Sequence, residues 1–488
     1  MQYEKSTRVT RRAFVGALGA TVIGTAAVGT GRTLRAAEPA NVIVLGAGLA
    51  GLYTTMLLEE QGAGVTLLEA SDHVGGRVQT RNIGGTLHEL GASDIGVMYA
   101  RVLDMMQRLD LERVPSSIRL KPFSYHVRGA LLRDDEWASS DANLTVGDER
   151  AIALPRLQSQ LLNQHNPLSE LDDWLAVENR NLDVPIAALL KQQGVSDEAI
   201  RLFGVTYNGI GMGRTSALQL FRDATRTKFG IDAFMRMKAA GQDVAPLSQV
   251  KGGIQRLPEA MAASLKTEVR FGQAAATIEH DATGVEVTCV DGSRYRADLL
   301  VVAMPLTALR RVSISPALSP DKAAAMAEMQ YYSVTKFYLR PKSKFWEADG
   351  YGPSMWTDGP LERVFALTDA NDDVHTLLVW ISGQGARRID QYDRQGAERL
   401  VLDTLARIRP ASKGQVDVMH HHSWGQTAYI GGCGHTYSAG QVSRFATSLP
   451  DAEGRIHFAG EHTRRREFGM ESAMASAERV VGEILSAT

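Results

Sequence analysis

Three things are scarce in this sequence: cysteine, net charge and long apolar runs. Two cysteines among 488 residues cannot form a disulfide scaffold or a four-thiolate metal site. A net charge of −2, with no basic stripe, offers no electrostatic footprint for nucleic acid. After the N-terminal segment, no apolar run reaches the roughly 18 residues that a membrane-spanning helix needs. We therefore expect no nucleic-acid partner and no membrane span.

What is present is the composition of a globular protein. Hydrophobic residues make up 44% of the chain and charged residues 22%, which is enough apolar material for a sizeable core. Because 488 residues are too many for one simple core, we predict two or three closely packed domains.

The first residues are typical of an export signal. The pair Arg11–Arg12 is followed by a Gly/Ala-rich apolar run from Phe14 and then by small residues. This is the layout of a cleaved signal, and the arginine pair resembles the bacterial twin-arginine signal. We predict that residues 1–37 are a signal peptide read by the twin-arginine translocation machinery, so that the protein is exported and is periplasmic or secreted. An uncleaved N-terminal segment is the alternative.

A glycine motif between two apolar strands predicts a dinucleotide site. Residues 41–70, NVIVLGAGLAGLYTTMLLEEQGAGVTLLEA, contain an apolar strand, the pattern G-x-G-x-x-G, a helix and a second strand that ends at Glu69. Gly46 permits a tight turn, Gly48 lets the backbone approach a pyrophosphate, and Gly51 allows close helix–strand packing. The helix N-terminus favours phosphate, and Glu69 is spaced to accept a hydrogen bond from a ribose hydroxyl.

The next segments resemble the flavin amine oxidase family. SDHVGGRVQT carries Gly75, Gly76 and Arg77 and is similar to the family's second phosphate-contacting element, where an arginine can neutralise a diphosphate. GGTLHELGAS, residues 84–93, is similar to the stretch that the family passes beside the isoalloxazine ring. The resemblance therefore implies FAD as the cofactor.

The resemblance extends to the C-terminus. VKGGIQRLPEAMAASL, residues 250–265, is similar to the family's entry into the second half of its FAD domain, and FAGEHTRRREFGMESA is similar to the block that closes the FAD site. The resemblance implies that a helix N-terminus in that block stabilises the negative charge of a reduced flavin. It assigns further FAD contacts to Ala70, Gly91, Ala92, Ser93, Ala275, Gly460, Glu461 and Met470.

YYSVTKFYLRPKSKFW, residues 331–346, resembles the strand that carries the family's active-site lysine. The resemblance makes Lys336 the predicted catalytic residue, near the flavin. A lysine in an apolar strand is costly to bury without a partner, and we expect a bridging water to serve as that partner. An exposed strand lysine is the alternative.

SWGQTAYIGGC resembles the monoamine oxidases, in which the matching cysteine carries the flavin through a thioether. Cys433 follows Trp424 by nine residues, and both are implied to contact FAD. The hypothesis is that Cys433 is a covalent attachment site, whose flanking glycines let the backbone come close to the flavin ring. A free cysteine beside a non-covalent flavin is the alternative.

The chain departs from the monoamine oxidases at their aromatic cage. Those enzymes hold the amine between two tyrosines, whereas this chain has Gly434 at one of these positions and a glycine beside Phe468 at the other. We therefore expect a bulkier or differently shaped substrate than a simple arylalkylamine. The residues predicted to line its space are Gly434, His435, Tyr437 and Phe468.

Two runs of polar residues, one of histidines and one of arginines, do not by themselves predict a binding site. The histidines at 420–422 do not predict a metal site, because successive strand residues point to opposite faces. Arg464–Arg466 is interpreted as a solvated turn, with recognition of an anionic substrate as the alternative. The amino-acid oxidases of the superfamily resemble one another in an arginine shortly after the LGA-like segment, which grips the substrate carboxylate. This chain reads LGASDIGVMYAR there and is more similar to the amine oxidases, which disfavours an amino acid substrate.

The predicted fold class is α/β combined with α+β: a Rossmann-like FAD-binding domain of the amine-oxidase type with an inserted substrate domain of mixed sheet and helices. After the signal peptide, the FAD-binding domain is predicted over 38–93, 250–307 and 427–488. The substrate domain is predicted over 94–249, largely helical, and 308–426.

The predicted function is FAD-dependent oxidation of an amine C–N bond to an imine, then to an aldehyde or ketone plus amine or ammonia, with O2 reduced to H2O2. The catalytic alternatives are an amine dehydrogenase with another electron acceptor, an L-amino acid oxidase and an FAD-dependent C–C desaturase. A non-catalytic exported flavoprotein is the remaining alternative, and a homodimer is left open.

Overall fold

The computed structural model describes residues 40–116, 123–369 and 371–487, and the predicted signal peptide, residues 1–37, lies outside them. The strands are, in chain order, β1 Asn41–Leu45, β2 Gly64–Leu68, β3 Thr80–Ile83, β4 Thr86–Glu89, β5 Ile95–Gly96, β6 Arg113–Pro115, β7 Phe123–Val127, β8 Ala130–Leu132, β9 Leu247–Val250, β10 Val269–Arg270, β11 Ala275–His280, β12 Val285–Cys289, β13 Arg294–Ala297, β14 Leu299–Val302, β15 Ser313–Ser315, β16 Gln330–Tyr332, β17 Val334–Pro341, β18 Ser354–Thr357, β19 Arg363–Thr368, β20 Val374–Ser382, β21 Val416–Ser423, β22 Gly434–Thr436 and β23 Ile456–Phe458. The helices are α1 Leu49–Glu60, α2 Ala100–Arg108, α3 Leu157–His165, α4 Ile186–Gln192, α5 Asp197–Val205, α6 Ala217–Ala239, α7 Arg256–Ser264, α8 Leu306–Leu309, α9 Pro320–Glu328, α10 Phe345–Asp349, α11 Gly383–Ile389, α12 Arg394–Ile408, α13 Gln441–Phe445 and α14 Gly469–Ala487.

A parallel sheet combines three distant parts of the chain. Its strand order is β10-β2-β1-β14-β23, so that the predicted nucleotide-binding start, a middle segment and a C-terminal segment lie side by side. The apolar run Val42–Leu45 forms the central strand and is buried on both faces, with each side chain at most 2% exposed. Val42 and Val44 lie in the apolar cluster of the helices, and Ile43 and Leu45 lie in the one that includes β11 and β12. Helix α14 packs on α1 in one apolar cluster. Both ends of the described chain therefore meet in this layer.

An antiparallel meander follows the second half of the predicted FAD domain. Strands β13, β12 and β11 pair in that order, and β15 joins β11 in parallel. The carboxylate of Asp281 accepts the backbone N–H of Thr283 at 2.6 Å, and Asp291 accepts that of Ser293 at 2.9 Å, and these hydrogen bonds close the turns between the strands. Cys289 is 2% exposed, as expected of an apolar filler.

A seven-stranded mixed sheet forms a second layer, in the order β21-β17-β20-β19-β18-β7-β8. Its strands come from 94–249 and 308–426, the two segments assigned to the substrate domain. One face packs on α11 and α12. The opposite face packs on Leu90 and Trp424, next to the predicted FAD segments. The exact domain boundaries stay predictions.

The helices α3 to α6 enclose a third apolar cluster with buried aromatic residues, among them Trp174 and Phe221. Ser196 and Ser216 begin α5 and α6, and each side-chain oxygen accepts a backbone N–H of the first turn. Among the described residues, no helix is both long enough and apolar enough to cross a membrane.

Candidate active site

Two glycine loops approach each other at the N-terminus of α1. A Cβ on Gly51 would lie 1.8 Å from the carbonyl oxygen of Gly46, so the close helix–strand contact excludes any side chain there. Gly48 begins the helix without a side-chain cap, and the nearest atom to a Cβ added there is the oxygen of Gly75, 4.0 Å away. Free backbone N–H groups, a positive helix end and an open approach fit a pyrophosphate.

Glu69 ends β2 beside this loop. Its carboxylate accepts the backbone N–H of Ala47 at 2.7 Å, and its backbone oxygen accepts the N–H of Gln273 at 2.8 Å. Ala70 follows Glu69 directly, and Ala275 begins β11 two residues after Gln273. The acid is thus oriented at the carboxyl edge of the parallel sheet, where a dinucleotide ribose binds.

Arg77 joins the two ends of the chain through Glu461. Its Nη1 donates to the carboxylate of Glu461 at 2.8 Å and to the backbone oxygen of Cys433 at 2.9 Å. Burial acts to raise the pKa of Glu461, but His435, whose Nδ1 is 2.7 Å from the carboxylate, and Arg77 together hold that pKa well below its usual value. The sequence assigned Arg77 to a diphosphate, and that assignment stays a prediction. The structure adds a carboxylate partner for its charge, Glu461, 384 residues away.

The segment after β4 runs between Arg77 and β17. A Cβ on Gly91 would lie 1.9 Å from the oxygen of Arg77 and 2.8 Å from the ring of Trp424. The N–H of Ala92 donates to the oxygen of Arg77 at 3.1 Å, and the indole N–H of Trp424 donates to the oxygen of Leu90 at 2.9 Å. Only glycine fits at position 91, and the Trp424 side chain packs against this segment.

Lys336 lies on β17 with its side chain toward the same segment. It is 2% exposed, which is wrong for the alternative of an exposed strand lysine. Its Nζ donates to the oxygens of Glu89 at 3.1 Å and Gly91 at 3.4 Å and lies 4.2 Å from the ring centre of Trp380. Burial lowers its pKa to about 8, so a buried ammonium with long hydrogen bonds stands beside the predicted FAD segment.

The glycines around Cys433 make room for two tyrosines. A Cβ on Gly432 would lie 2.6 Å from Cβ of Tyr331, and one on Gly434 would lie 2.8 Å from the hydroxyl of Tyr332. Tyr332 pairs with Gly434 across β16 and β22, and the N–H of Cys433 donates to the oxygen of Tyr332 at 2.8 Å. We expected the glycines to admit a flavin ring, whereas here they admit tyrosine rings. Burial raises the pKa of the Cys433 thiol.

The three other predicted pocket residues differ in exposure, and their role stays a prediction. His435 and Tyr437 are each 1% exposed, so neither is open to solvent. Tyr437 packs on Trp174 with ring centres 6.1 Å apart, in the helical cluster. Phe468 is 40% exposed and lies under the guanidinium of Arg464 at 5.4 Å. The sequence analysis did not single out Tyr332, which occupies the space beside Gly434. The signal that could have pointed to it is Gly434 itself, a glycine on the opposite strand that leaves room for a ring.

The run Arg464–Arg466 divides into two kinds of residue. Arg466 forms a surface ion pair with Asp172, as expected of a solvated turn. The side chain of Arg464 is 5% exposed and lies 3.7 Å from Asp223, which contradicts that expectation.

The remaining predicted positions lie around the same loops: Gly76 with φ +57°, Ser93 donating to Asp94 at 3.0 Å, Gly460 donating to Ser476 at 2.8 Å, and Met470, 5% exposed, in the first turn of α14.

The three histidines on β21 alternate as predicted. His420 and His422 share one face with ring centres 6.4 Å apart, and His421 stacks on Phe337 on the other face at 4.3 Å. No group of side chains suited to holding a metal ion is found within the described ranges.

Comparison with known proteins agrees with this geometry. A family model described as flavin containing amine oxidoreductase matches residues 49–485. An L-amino-acid oxidase of Bothrops moojeni is 25% identical over 476 residues, covering 92% of this chain and 90% of the relative. An L-amino-acid oxidase of Siganus canaliculatus is 27% identical over 473 residues, covering 91% and 85%.

Solved structures share the fold. Cyclohexylamine oxidase of Brevibacterium oxydans superimposes with a TM-score of 0.73 at 26% identity, covering 92% of this chain and all of its own. Putrescine oxidase bound to putrescine superimposes with a TM-score of 0.73 at 21% identity, covering 92% and 99%. The predicted fold class is confirmed.

Proposed function

The chain belongs to the family of flavin containing amine oxidoreductases, and from that membership we propose that it oxidises the C–N bond of an amine to an imine while oxygen is reduced to hydrogen peroxide. Water then hydrolyses the imine to an aldehyde or ketone plus amine or ammonia. The observation that carries the proposal is the buried ammonium of Lys336, which contacts the Glu89–Gly91 segment between the two glycine loops and the substrate sheet.

The residues of the chain supply orientation, dryness and charge. When bound, FAD accepts two electrons from the substrate carbon and passes them to oxygen. A buried pocket disfavours the ammonium form of the substrate, and only the neutral amine has a free lone pair. Substrate oxidation should therefore accelerate as pH rises through the pKa of the bound amine. Lys336 holds a positive charge where negative charge develops as oxygen is reduced.

A covalent link between Cys433 and FAD is part of the proposal. Its support is the position of the half-buried thiol near Lys336 and Arg77, whose charges act to lower its pKa against the effect of desolvation. Acid precipitation of the holoenzyme should leave the yellow colour in the pellet, and Cys433→Ser should release it to the supernatant. Colour in the wild-type supernatant would remove the link.

Export through the twin-arginine pathway to the periplasm or the medium is also proposed, from the Arg11–Arg12 segment alone. Fractionation of cells that express the full chain, with an Arg11→Lys/Arg12→Lys variant as control, tests it. A homodimer is proposed as the form in solution, and light scattering of the purified protein tests that.

The deciding experiment mixes purified holoenzyme with a panel of amines without oxygen. Bleaching of the yellow absorbance identifies substrates, and peroxide release on admitting air separates an oxidase from a dehydrogenase. The panel includes α-amino acids, because the curated relatives are L-amino-acid oxidases. A protein that no amine bleaches would contradict the proposal and favour a desaturase or a non-catalytic flavoprotein.

A further inference from the structure

A row of three side chains crosses the face of the seven-stranded sheet that carries Lys336. Lys336 on β17 is paired with Trp380 on β20, which is paired in turn with Arg363 on β19. Paired residues of neighbouring strands point to the same face. Nζ of Lys336 lies 4.2 Å and Cζ of Arg363 lies 5.7 Å from the ring centre of Trp380. Two cations therefore flank one indole ring on the face that carries the active-site lysine.

Two donors in this row have no acceptor. The Nε of Arg363 and the indole Nε1 of Trp380 are both buried, and neither has a hydrogen-bond partner among the residues that the structure describes. The guanidinium makes one hydrogen bond, from Nη2 to the hydroxyl of Ser382 at 2.9 Å. Buried donors without acceptors are rare in folded proteins and call for an explanation.

The charge of Arg363 is not balanced by a carboxylate. Burial lowers its pKa to about 10, so the side chain is still a cation near neutral pH. The adjacent Glu362 accepts the backbone N–H of Ser382, and burial raises its pKa to about 8, which leaves it largely protonated. Contact with the rings of Phe365 and Trp380 stabilises the cation only in part.

Other buried arginines of the chain show what a structural role looks like. Arg409 is fully buried and bound by Asp349, and Arg222 donates to Asp223 at 2.7 Å. Arg101, which follows the LGASDIG segment, binds Glu471 at 3.0 Å. Each has an acidic partner, whereas Arg363 has unused donors.

We propose that Arg363 and the indole N–H of Trp380 bind an anionic group, a carboxylate, on the amine substrate. The inference rests on the proposed function and names its substrate class: amines whose carboxylate is separated from the reacting carbon by a short carbon chain. A carboxylate has two acceptor oxygens and one negative charge, which match the two free donors and the unbalanced cation.

The position of Arg363 sets the spacing. Lys336 and Arg363 are two strands apart, so their charged groups are separated by at most about 10 Å. A substrate that reacts beside Lys336 can therefore place on Arg363 a carboxylate that is several bonds from the reacting carbon. The same cation repels the second ammonium of a diamine such as putrescine.

The experiment compares matched substrates on the holoenzyme. γ-Aminobutyrate, δ-aminovalerate and ε-aminocaproate are set against n-butylamine, n-pentylamine and n-hexylamine, the diamines putrescine and cadaverine, and norvaline. At least one aminocarboxylate should exceed its alkylamine and diamine in kcat/KM. Binding of valerate and caproate, which lack an amine and cannot be oxidised, is measured by calorimetry on the same holoenzyme.

Variants assign the effect to the row. Arg363→Met should lower kcat/KM for the best aminocarboxylate about tenfold to a hundredfold, mainly through KM, with little change for alkylamines. Arg363→Glu should favour the diamines, and Trp380→Phe, which keeps the ring but not the N–H, should weaken valerate binding. Arg394→Met, an exposed arginine paired with Glu398, is the matched control and should change nothing.

The outcomes separate this inference from the proposed function. Alkylamines that are oxidised as well as aminocarboxylates, or equal valerate binding by wild type and Arg363→Met, overturn the anion site while the oxidase stands. If no amine bleaches the protein but valerate binding still depends on Arg363, the oxidase proposal fails and the anion site stands.

Discussion

Lys336 and Lys322 are both buried, and burial lowers the pKa of each to about 8. Their contacts differ. Both lie over an aromatic ring, but Lys322 also donates to three backbone oxygens of residues 448–451 at 2.7 to 2.8 Å, whereas Lys336 has only two, longer hydrogen bonds. The first lysine is satisfied by the fold. The second keeps hydrogen-bonding capacity for a water or a reacting group.

Lys336→Met should therefore slow reoxidation of the reduced enzyme by oxygen about a hundredfold, because a positive charge at the site of developing negative charge is lost. In wild type this step should decline above about pH 8, as the lysine loses its proton, and the variant should lack that decline. Stopped-flow mixing with oxygen measures both. Lys322→Met should lower the melting temperature without changing the rate per bound flavin. An unchanged rate in Lys336→Met removes the role.

Individual residues show what sequence reasoning can and cannot reach. The glycine positions were predictable because Gly46 and Gly51 are constrained by turns and helix packing within a few residues. The pairing of Arg77 with Glu461 was not, since it depends on two segments 384 residues apart. The contact of buried His435 with Glu461, 26 residues away, was not predicted either.

At the scale of elements, β16 supplies an aromatic side chain that the family resemblance would place on β22. Gly434 stands where the monoamine oxidases carry a cage tyrosine, and the ring of Tyr332, its partner on the opposite strand, fills the space that a side chain at 434 would take. The prediction about the aromatic cage considered each strand by itself, so it missed an aromatic side chain supplied from the neighbouring strand.

Because the Tyr332 ring fills the space beside Gly434, the effects of substitutions at these two positions on stability should be coupled. Gly434→Ala should destabilise the protein by about 1–3 kcal/mol, because the new Cβ lies 2.8 Å from the Tyr332 hydroxyl and the ring must move. In a Tyr332→Ala background the same change should cost much less. Melting temperatures of the four proteins measure the coupling. Equal losses in both backgrounds would show that the ring does not fill that space.

Three histidines form an acid-sensitive feature: His420 and His422 on β21 and His88 on β4. Burial lowers the pKa of His88 and His420 to about 4 and that of His422 to about 3, from 6.5. Between about pH 6.5 and pH 4 the unfolded chain binds more protons at these sites than the folded chain, so stability rises with pH across that window and is lost below it.

His420→Gln should therefore reduce the fall in melting temperature between pH 7 and pH 4, since an amide does not bind a proton. His280→Gln, on β11 in the antiparallel meander, is the matched control. Melting curves at a series of pH values give the slopes. Parallel slopes for His420→Gln and wild type would mean that this histidine is not protonated on unfolding in that range.

The whole molecule is organised around a sheet that the chain completes only at its end. β1 and β2 are adjacent in sequence and were predictable from their apolar runs, as was the strand near Ile456. Their common order with β10 and β14 depends on pairings across hundreds of residues, which periodicity does not encode. The resemblance to a known family, rather than local pattern, supplied that part of the prediction.

Because segments from both ends are predicted to form the FAD site, cofactor binding should stabilise the molecule as one unit. A ligand held only by the folded state adds about 2.7 kcal/mol at a hundred times its Kd, so the melting temperature of Cys433→Ser should rise with added FAD. If the thioether exists, wild-type protein should melt higher and ignore added FAD, since its cofactor cannot dissociate. Differential scanning fluorimetry of both proteins over a range of FAD concentrations decides this. A Cys433→Ser protein that is indifferent to FAD would mean that the glycine loops and Glu461 do not bind the dinucleotide between them.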